Sequence, residues 1–177
     1  PTLFFPGLID EVAIYPSVLT DSQVYAHYDA ASTNAASYAS QVLALSPSAY
    51  WRMNEPTVPP YVPYPATNSG SLGVTQNGTY IGGATSGVAG PLRGQFAGFE
   101  ADNKSVGLNG TSGYLSIPGF ASSLDTVTIT GWIKRNGSQV NASPFLLQRA
   151  GSSPATGLVV DFNNRLGYVW NDDAGSY

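Results

Sequence analysis

Asp10 and Glu11 stand side by side in LIDEVAIY, and Glu100 and Asp102 alternate in FEADN. Carboxylate pairs are the raw material of glycoside hydrolysis, which needs two carboxyl groups about 5–10 Å apart converging on one bond. Neither pair meets that demand. Neighbours on a strand point to opposite faces, so Asp10 and Glu11 diverge, and Glu100 and Asp102 flank a turn. His27 is the single histidine; it falls inside a helical segment beside aromatic residues, where a surface or half-buried ring is the default over a general base. GGATSG and GVAGPLRG lack the lysine and the strand–helix context of a phosphate loop. Asp172 and Asp173 are adjacent acids in a terminal loop, the usual solvated arrangement. No residue is assigned a catalytic role, and the chain reads as a non-enzyme.

Binding chemistry rests on the aromatic residues. Tyr168 and Trp170 share one face of a strand with Leu166. If that face is exposed, a ring can stack on a pyranose while Arg149 or Asn171 takes its hydroxyls; if it turns inward, it is core. Trp51 and Trp132 have apolar strand neighbours and read as core. Tyr61 and Tyr64, in a proline-rich loop, suit protein contact or loop packing.

These side chains must be positioned by short strands. LIDEVAIY alternates, with Leu8, Asp10, Val12 and Ile14 on one face and Ile9, Glu11, Ala13 and Tyr15 on the other, both mostly apolar. Thr20 then opens a helix of about ten residues through a T-D-S-Q capping box, with Gln23 at the third helical position. Val24, Tyr25, Ala26 and Tyr28 are available for its packed side. Ala30–Ser40 is small and polar, a linker composition. AYWRMNE, Ala49–Glu55, is a strand, and the prolines that follow it forbid a regular element. Further strands are expected at 78–81, 94–99, 105–108, 114–117, 127–134, 144–148, 157–162 and 165–170, separated by NG, SG and NN turns. FNNRLGYVW is the clearest hairpin. Such punctuation indicates a sandwich.

Composition agrees. The 177 residues suffice for one substantial core. Only 10% are charged and the net charge is −4, which argues against nucleic acid as a partner. No apolar run approaches the ~20 residues that span a bilayer, so membrane insertion is not expected. Cysteine is absent and Gly, Pro and Tyr are abundant, as in an extracellular all-β protein without disulfides. Any export signal is expected to lie outside this segment or to have been removed.

Three passages resemble laminin-G-like jelly-roll domains of the concanavalin-A-like lectin/glucanase superfamily. VLALSPSAYWRMNE (Val42–Glu55) is similar to the family's opening strand. The stretch from Val106 to Ile133, with NGTSGYLSIP and TITGWIKR, is similar to its central strands. Gly7–Ala31 is similar to its closing strand and C-terminal helix. The resemblance implies an all-β antiparallel jelly-roll sandwich with one short helix near the N-terminus. The order end–linker–beginning further implies the closing strand and helix of a preceding domain at 1–32, a linker at 33–41, and the first two-thirds of a second domain at 42–177. A closing strand lies beside its opening strand, so residues 8–15 should pair antiparallel with a strand outside this chain or with Ala49–Asn54 of this chain or another copy. Pairing between copies would make the protein self-associate.

The resemblance also carries functional expectations. The superfamily's glucanases set their acids as Glu-x-Asp-x-x-Glu on one strand, and no such run exists here. Members often hold a structural Ca²⁺ with backbone carbonyls and a closing-strand Asp, here Asp10; with six to eight oxygens needed, Glu55 and Asn68 are the further hard ligands at hand. The alternative is that Asp10 only accepts hydrogen bonds from a neighbouring loop. The expected role is a non-catalytic binding or adhesion module of a large exported bacterial protein, secreted or at the cell surface, that recognises a glycan or a surface or matrix protein. The alternatives are a repeat subunit of an extracellular filament or virion appendage, and a domain that accompanies an enzyme.

Overall fold

The computed structural model describes residues 4–33, 37–57, 64–92, 94–119, 126–137, 143–148, 156–161, 163–170 and 173–176. In chain order these form β1 (Pro6–Tyr15), α1 (Asp21–Thr33), α2 (Tyr38–Ala44), β2 (Ala49–Trp51), β3 (Thr79–Ile81), β4 (Thr85–Ala89) and β5 (Lys104–Asn109). β6 (Tyr114–Ser116), β7 (Thr128–Arg135), β8 (Ser143–Gln148), β9 (Thr156–Val160), β10 (Leu166–Trp170) and β11 (Asp173–Ser176) follow.

β1 is the central strand of a five-stranded sheet. On one side it pairs antiparallel with β7, from Gly7 opposite Arg135 to Tyr15 opposite Thr128. On the other side Ile9 faces Val106 of β5, and Val12 faces Trp51 of β2. The expected pairing of residues 8–15 with the Ala49 segment therefore occurs within this chain. β4 extends the sheet beyond β5. A second layer holds the four-stranded sheet β11–β10–β9–β8 and the two-stranded ribbon β3–β6. Ile9, Val12, Ile14, Trp51 and Val106 meet Val160, Phe145 and Leu146 from the former and Tyr80 and Leu115 from the latter. The chain is an all-β sandwich with antiparallel sheets.

The helices lie on the other face of the five-stranded sheet, over Ala13, Tyr15, Tyr38, Val42, Tyr50 and Phe99. The capping box forms: Thr20 N–H donates to Gln23 Oε1 at 2.8 Å, and Gln23 N–H to Thr20 Oγ1 at 3.3 Å. Two expectations about this region need correction. His27, Ala30 and Ala31 are the buried residues of α1, while Val24, Tyr25 and Tyr28 are exposed. The stretch read as a linker gives way at Tyr38 to α2, which runs on into the passage read as an opening strand, because Tyr38 and Val42, one helical turn apart, both insert into the aromatic cluster.

The 94–99 segment is not a strand. It passes beneath the helices, where Gly98 N–H donates to Ala31 O at 2.8 Å and Gly98 O accepts from Tyr38 N–H at 3.2 Å. A Cβ at Gly98 would collide with the Ala30 carbonyl, so only glycine permits this approach. β4 and β11 lie where no strand was expected. Trp51 is fully buried between the layers, its Nε1–H donating to Gln76 O at 2.8 Å. Trp132 packs instead on the helix side, 4.8 Å from Phe96 and 5.4 Å from Phe99 between ring centroids.

Candidate functional site

The alternation expected for β1 breaks at its acids. Asp10 faces Trp132 and Ala13 faces Thr130, so three steps along β1 match two along β7. That is a β-bulge, and Glu11 takes the left-handed φ of 52° that it requires. The extra residue reverses the phase. Ile9 therefore joins Val12 and Ile14 in the inter-layer core, and both acids turn toward the helix side with Ala13 and Tyr15. Asp10 and Glu11, expected on opposite faces, share one.

Both carboxylates are buried, at 1% and 0% exposure. Glu11 accepts a short hydrogen bond from the Tyr50 hydroxyl at Oε2, while Arg52 donates to its Oε1 from Nε at 3.2 Å and Nη2 at 3.1 Å. The same Arg52 Nη2 reaches both oxygens of Glu100 at 2.8 Å. Burial pushes the Glu11 carboxyl up to about 7, against the opposing pull of Arg52 and Tyr50. Glu11 and Glu100 therefore converge on one guanidinium. Asp102 lies in an exposed turn.

Asp10 is held differently. Its Oδ2 accepts from Asn103 Nδ2 at 2.8 Å, and that amide also donates to Pro91 O at 3.3 Å. Asp10 Oδ1 and Asn103 Oδ1 are buried with no hydrogen-bond partner. Burial, aided by repulsion from Glu11, raises the Asp10 carboxyl to about 9. These orphaned oxygens are of the kind that holds a Ca²⁺ ion, which is bound by carboxylate, amide and main-chain oxygens. The other two expected ligands are engaged elsewhere. Glu55 accepts from Thr67 N–H at 2.7 Å and the Tyr80 hydroxyl at 2.6 Å. Asn68 Oδ1 accepts from Tyr50 N–H at 2.7 Å and Gly70 N–H at 3.0 Å. Among the described residues no group of three acidic or histidine side chains could hold a metal ion. Asn103 was missed in the sequence because nothing local marks it: its partner is 93 residues away.

Of the expected sugar-binding residues, Arg149, Asn171 and the Trp170 side chain lie outside the described residues, as do Tyr61 and Asp172. Tyr168 and Leu166 are on β10, opposite Leu158 and Val160. Val160 is core, so this face turns toward the other sheet. Yet Leu166 and Tyr168 remain 49% and 38% exposed. An apolar cleft of about 380 Å³ opens there, bounded by Ile129 and Ile133 of β7 and by Leu146, Leu158 and Leu166 opposite. His27 packs 5.8 Å from the Tyr15 ring and 6.2 Å from Tyr38, and burial lowers its pKa.

No protein-family model, curated protein or solved structure matches the chain.

Proposed function

We propose that the chain is a non-catalytic binding or adhesion module of laminin-G-like jelly-roll type, part of a large exported bacterial protein, and that it recognises a glycan or a cell-surface partner. One observation carries the reading. β1, the segment that resembles a closing strand, lies antiparallel beside β2, the segment that resembles an opening strand. The acid chemistry supports the non-catalytic part, since Glu11 and Glu100 converge on Arg52 and Asp10 on Asn103. A Ca²⁺ ion held by Asp10, Asn103 and neighbouring carbonyls would neutralise the buried carboxylate and fix the loop from Pro91 to Asn103 against β1. The test is a glycan array with a parallel assay for reducing sugar released from β-glucans. Binding without release is expected; release abolished by Glu100→Gln would overturn the reading.

The cleft beside β7 favours a second role. β7 pairs only with β1 among the described strands, and the apolar space next to it is open. An open edge over an uncovered apolar cleft suits a subunit that assembles with copies of itself, as in an extracellular filament or virion appendage. Concentration-dependent light scattering distinguishes this role from a monomeric module.

A further inference from the structure

Asparagine is followed by glycine at Asn77, Asn109 and Asn136. The pair carries a latent reaction as well as a turn. The glycine amide nitrogen can attack the asparagine Cγ, because no Cβ shields it. Its proton passes to the departing Nδ2, which leaves as ammonia, and a cyclic imide closes. Water then opens the ring. Addition at Cγ gives aspartate, and addition at the main-chain carbonyl gives isoaspartate, whose backbone runs through Cβ and Cγ. Asparagine and water become an acid and ammonia, with no oxidant or enzyme required.

The fold treats the three pairs differently. Asn109 Oδ1 accepts the amide hydrogens of Thr111, Ser112 and Gly113 at 3.0, 3.0 and 2.9 Å, and its Nδ2 donates to Ser112 Oγ at 3.1 Å. A carboxamide so held cannot swing onto the Gly110 nitrogen without giving up those bonds. At Asn77 the nucleophile itself is taken: Gly78 is buried, and its N–H donates to Ala66 O at 2.9 Å. Asn77 Oδ1 also accepts from Asn68 N–H at 2.8 Å. Asn136 has neither restraint. It and Gly137 are exposed, and Gly137 takes a φ of 73° with open space where a Cβ would sit. Among the described residues the Asn136 carboxamide and the Gly137 amide make no hydrogen bond.

We infer that Asn136 is a modification site, which deamidates spontaneously in the folded protein while Asn77 and Asn109 are protected. Each event adds one negative charge to a chain of net charge −4, directly after the cations Lys134 and Arg135. The sheet offers no resistance. Pairing of β7 with β1 ends at Arg135 opposite Gly7, and Asn136 donates to Pro6 O at 3.0 Å through a nitrogen that precedes the rerouted atoms. The extra backbone carbon of isoaspartate therefore enters after the last bond of the strand. This chemistry is independent of what the module binds.

The test is incubation of the full chain at mildly alkaline pH, native and in urea, followed by peptide mapping with tandem mass spectrometry. Digestion at acidic pH keeps the mapping from adding deamidation of its own. In urea the three pairs should react at similar rates. In the folded protein Asn136 should stay close to its urea rate and outpace Asn77 and Asn109 about tenfold or more, a factor that the loss of one or two hydrogen bonds supplies. Ion exchange of the native sample should show a more acidic species with the charge of Asn136→Asp, which Asn136→Gln does not form. Asn77 or Asn109 keeping pace with Asn136 in the folded protein overturns the assignment, as does an Asn136 that folding slows as much as it slows the other two.

Discussion

Midway along β1 the carboxylates of Asp10 and Glu11 lie dry beneath the helix layer, whereas Lys134 and Arg135 of β7 stand in water at the end of the same sheet. The two places are a few rungs apart on the same pair of strands. The acids are bound by Arg52, Tyr50 and Asn103, each fixed by its own packing. The cations are exposed and enter no ion pair among the described residues. Buried charge must be matched inside the fold, so the acid end serves architecture. Exposed charge keeps its hydration, so the basic end asks nothing of the fold around it.

The sharpest way to break this contrast is to remove the cation of the dry end. Arg52→Ala strands a buried Glu11 carboxylate and should cost about 3–5 kcal/mol at neutral pH in a urea melt. The penalty should shrink as pH falls below about 7, where the Glu11 carboxyl takes up a proton. A loss within 1 kcal/mol of zero would show that Glu11 is not held by this pair.

Asp10 gives the next largest effect. Its folded pKa of about 9 lies above the ordinary 3.8, and that of Glu11, about 7, above 4.5. The folded state therefore holds protons that the unfolded chain has released. In chelator, this stability is fully present below about pH 4 and is lost as pH rises, through about 7 for Glu11 and about 9 for Asp10. Asp10→Asn should stabilise the chelated protein by about 1–3 kcal/mol at pH 8 and flatten the alkaline part of the profile. Added Ca²⁺ should raise the melting temperature of wild type and not of the variant; an equal rise in both would exclude Asp10 as the ion's ligand.

Two smaller changes sharpen the same contrast. Thr20→Ala removes the cap of α1, part of the cover over the acid end, and should cost about 1 kcal/mol in thermal unfolding. Lys134→Ala with Arg135→Ala should alter stability by less than about 0.5 kcal/mol. A large loss there would mean that the basic end is structural too.

How much of this could be read from residues alone follows from locality. The cap at Thr20, the strand LIDEVAIY and the hairpin around Asn163 are set within a few positions. In that hairpin Asp161 Oδ1 receives the Asn163 and Arg165 amide hydrogens at 2.9 and 2.8 Å. The bulge was hidden because Glu11 carries none of the glycine or asparagine chemistry that usually marks a left-handed residue. GQFAGF reads as a strand until the helices are placed over it, for the close approach at Gly98 is a tertiary demand. α2 was masked by small residues around the two that matter, Tyr38 and Val42.

The central place of β1 bears on how the protein is made. Leu19, just beyond β1, donates its amide hydrogen to Thr128 of β7, a partner 109 residues later in the chain. At ribosomal speeds of about 5–20 residues per second, β1 waits on the order of 5–20 s for that neighbour to be synthesised. During that interval β2 and β5 can flank only one side of β1, and its other edge stays exposed to every other nascent chain. Its early helix, capped by Thr20 and complete at Thr33, is the first cover that can form locally. The central strand of the sheet thus waits longest for its second edge to be covered, and growth temperature and translation rate become determinants of the protein's yield.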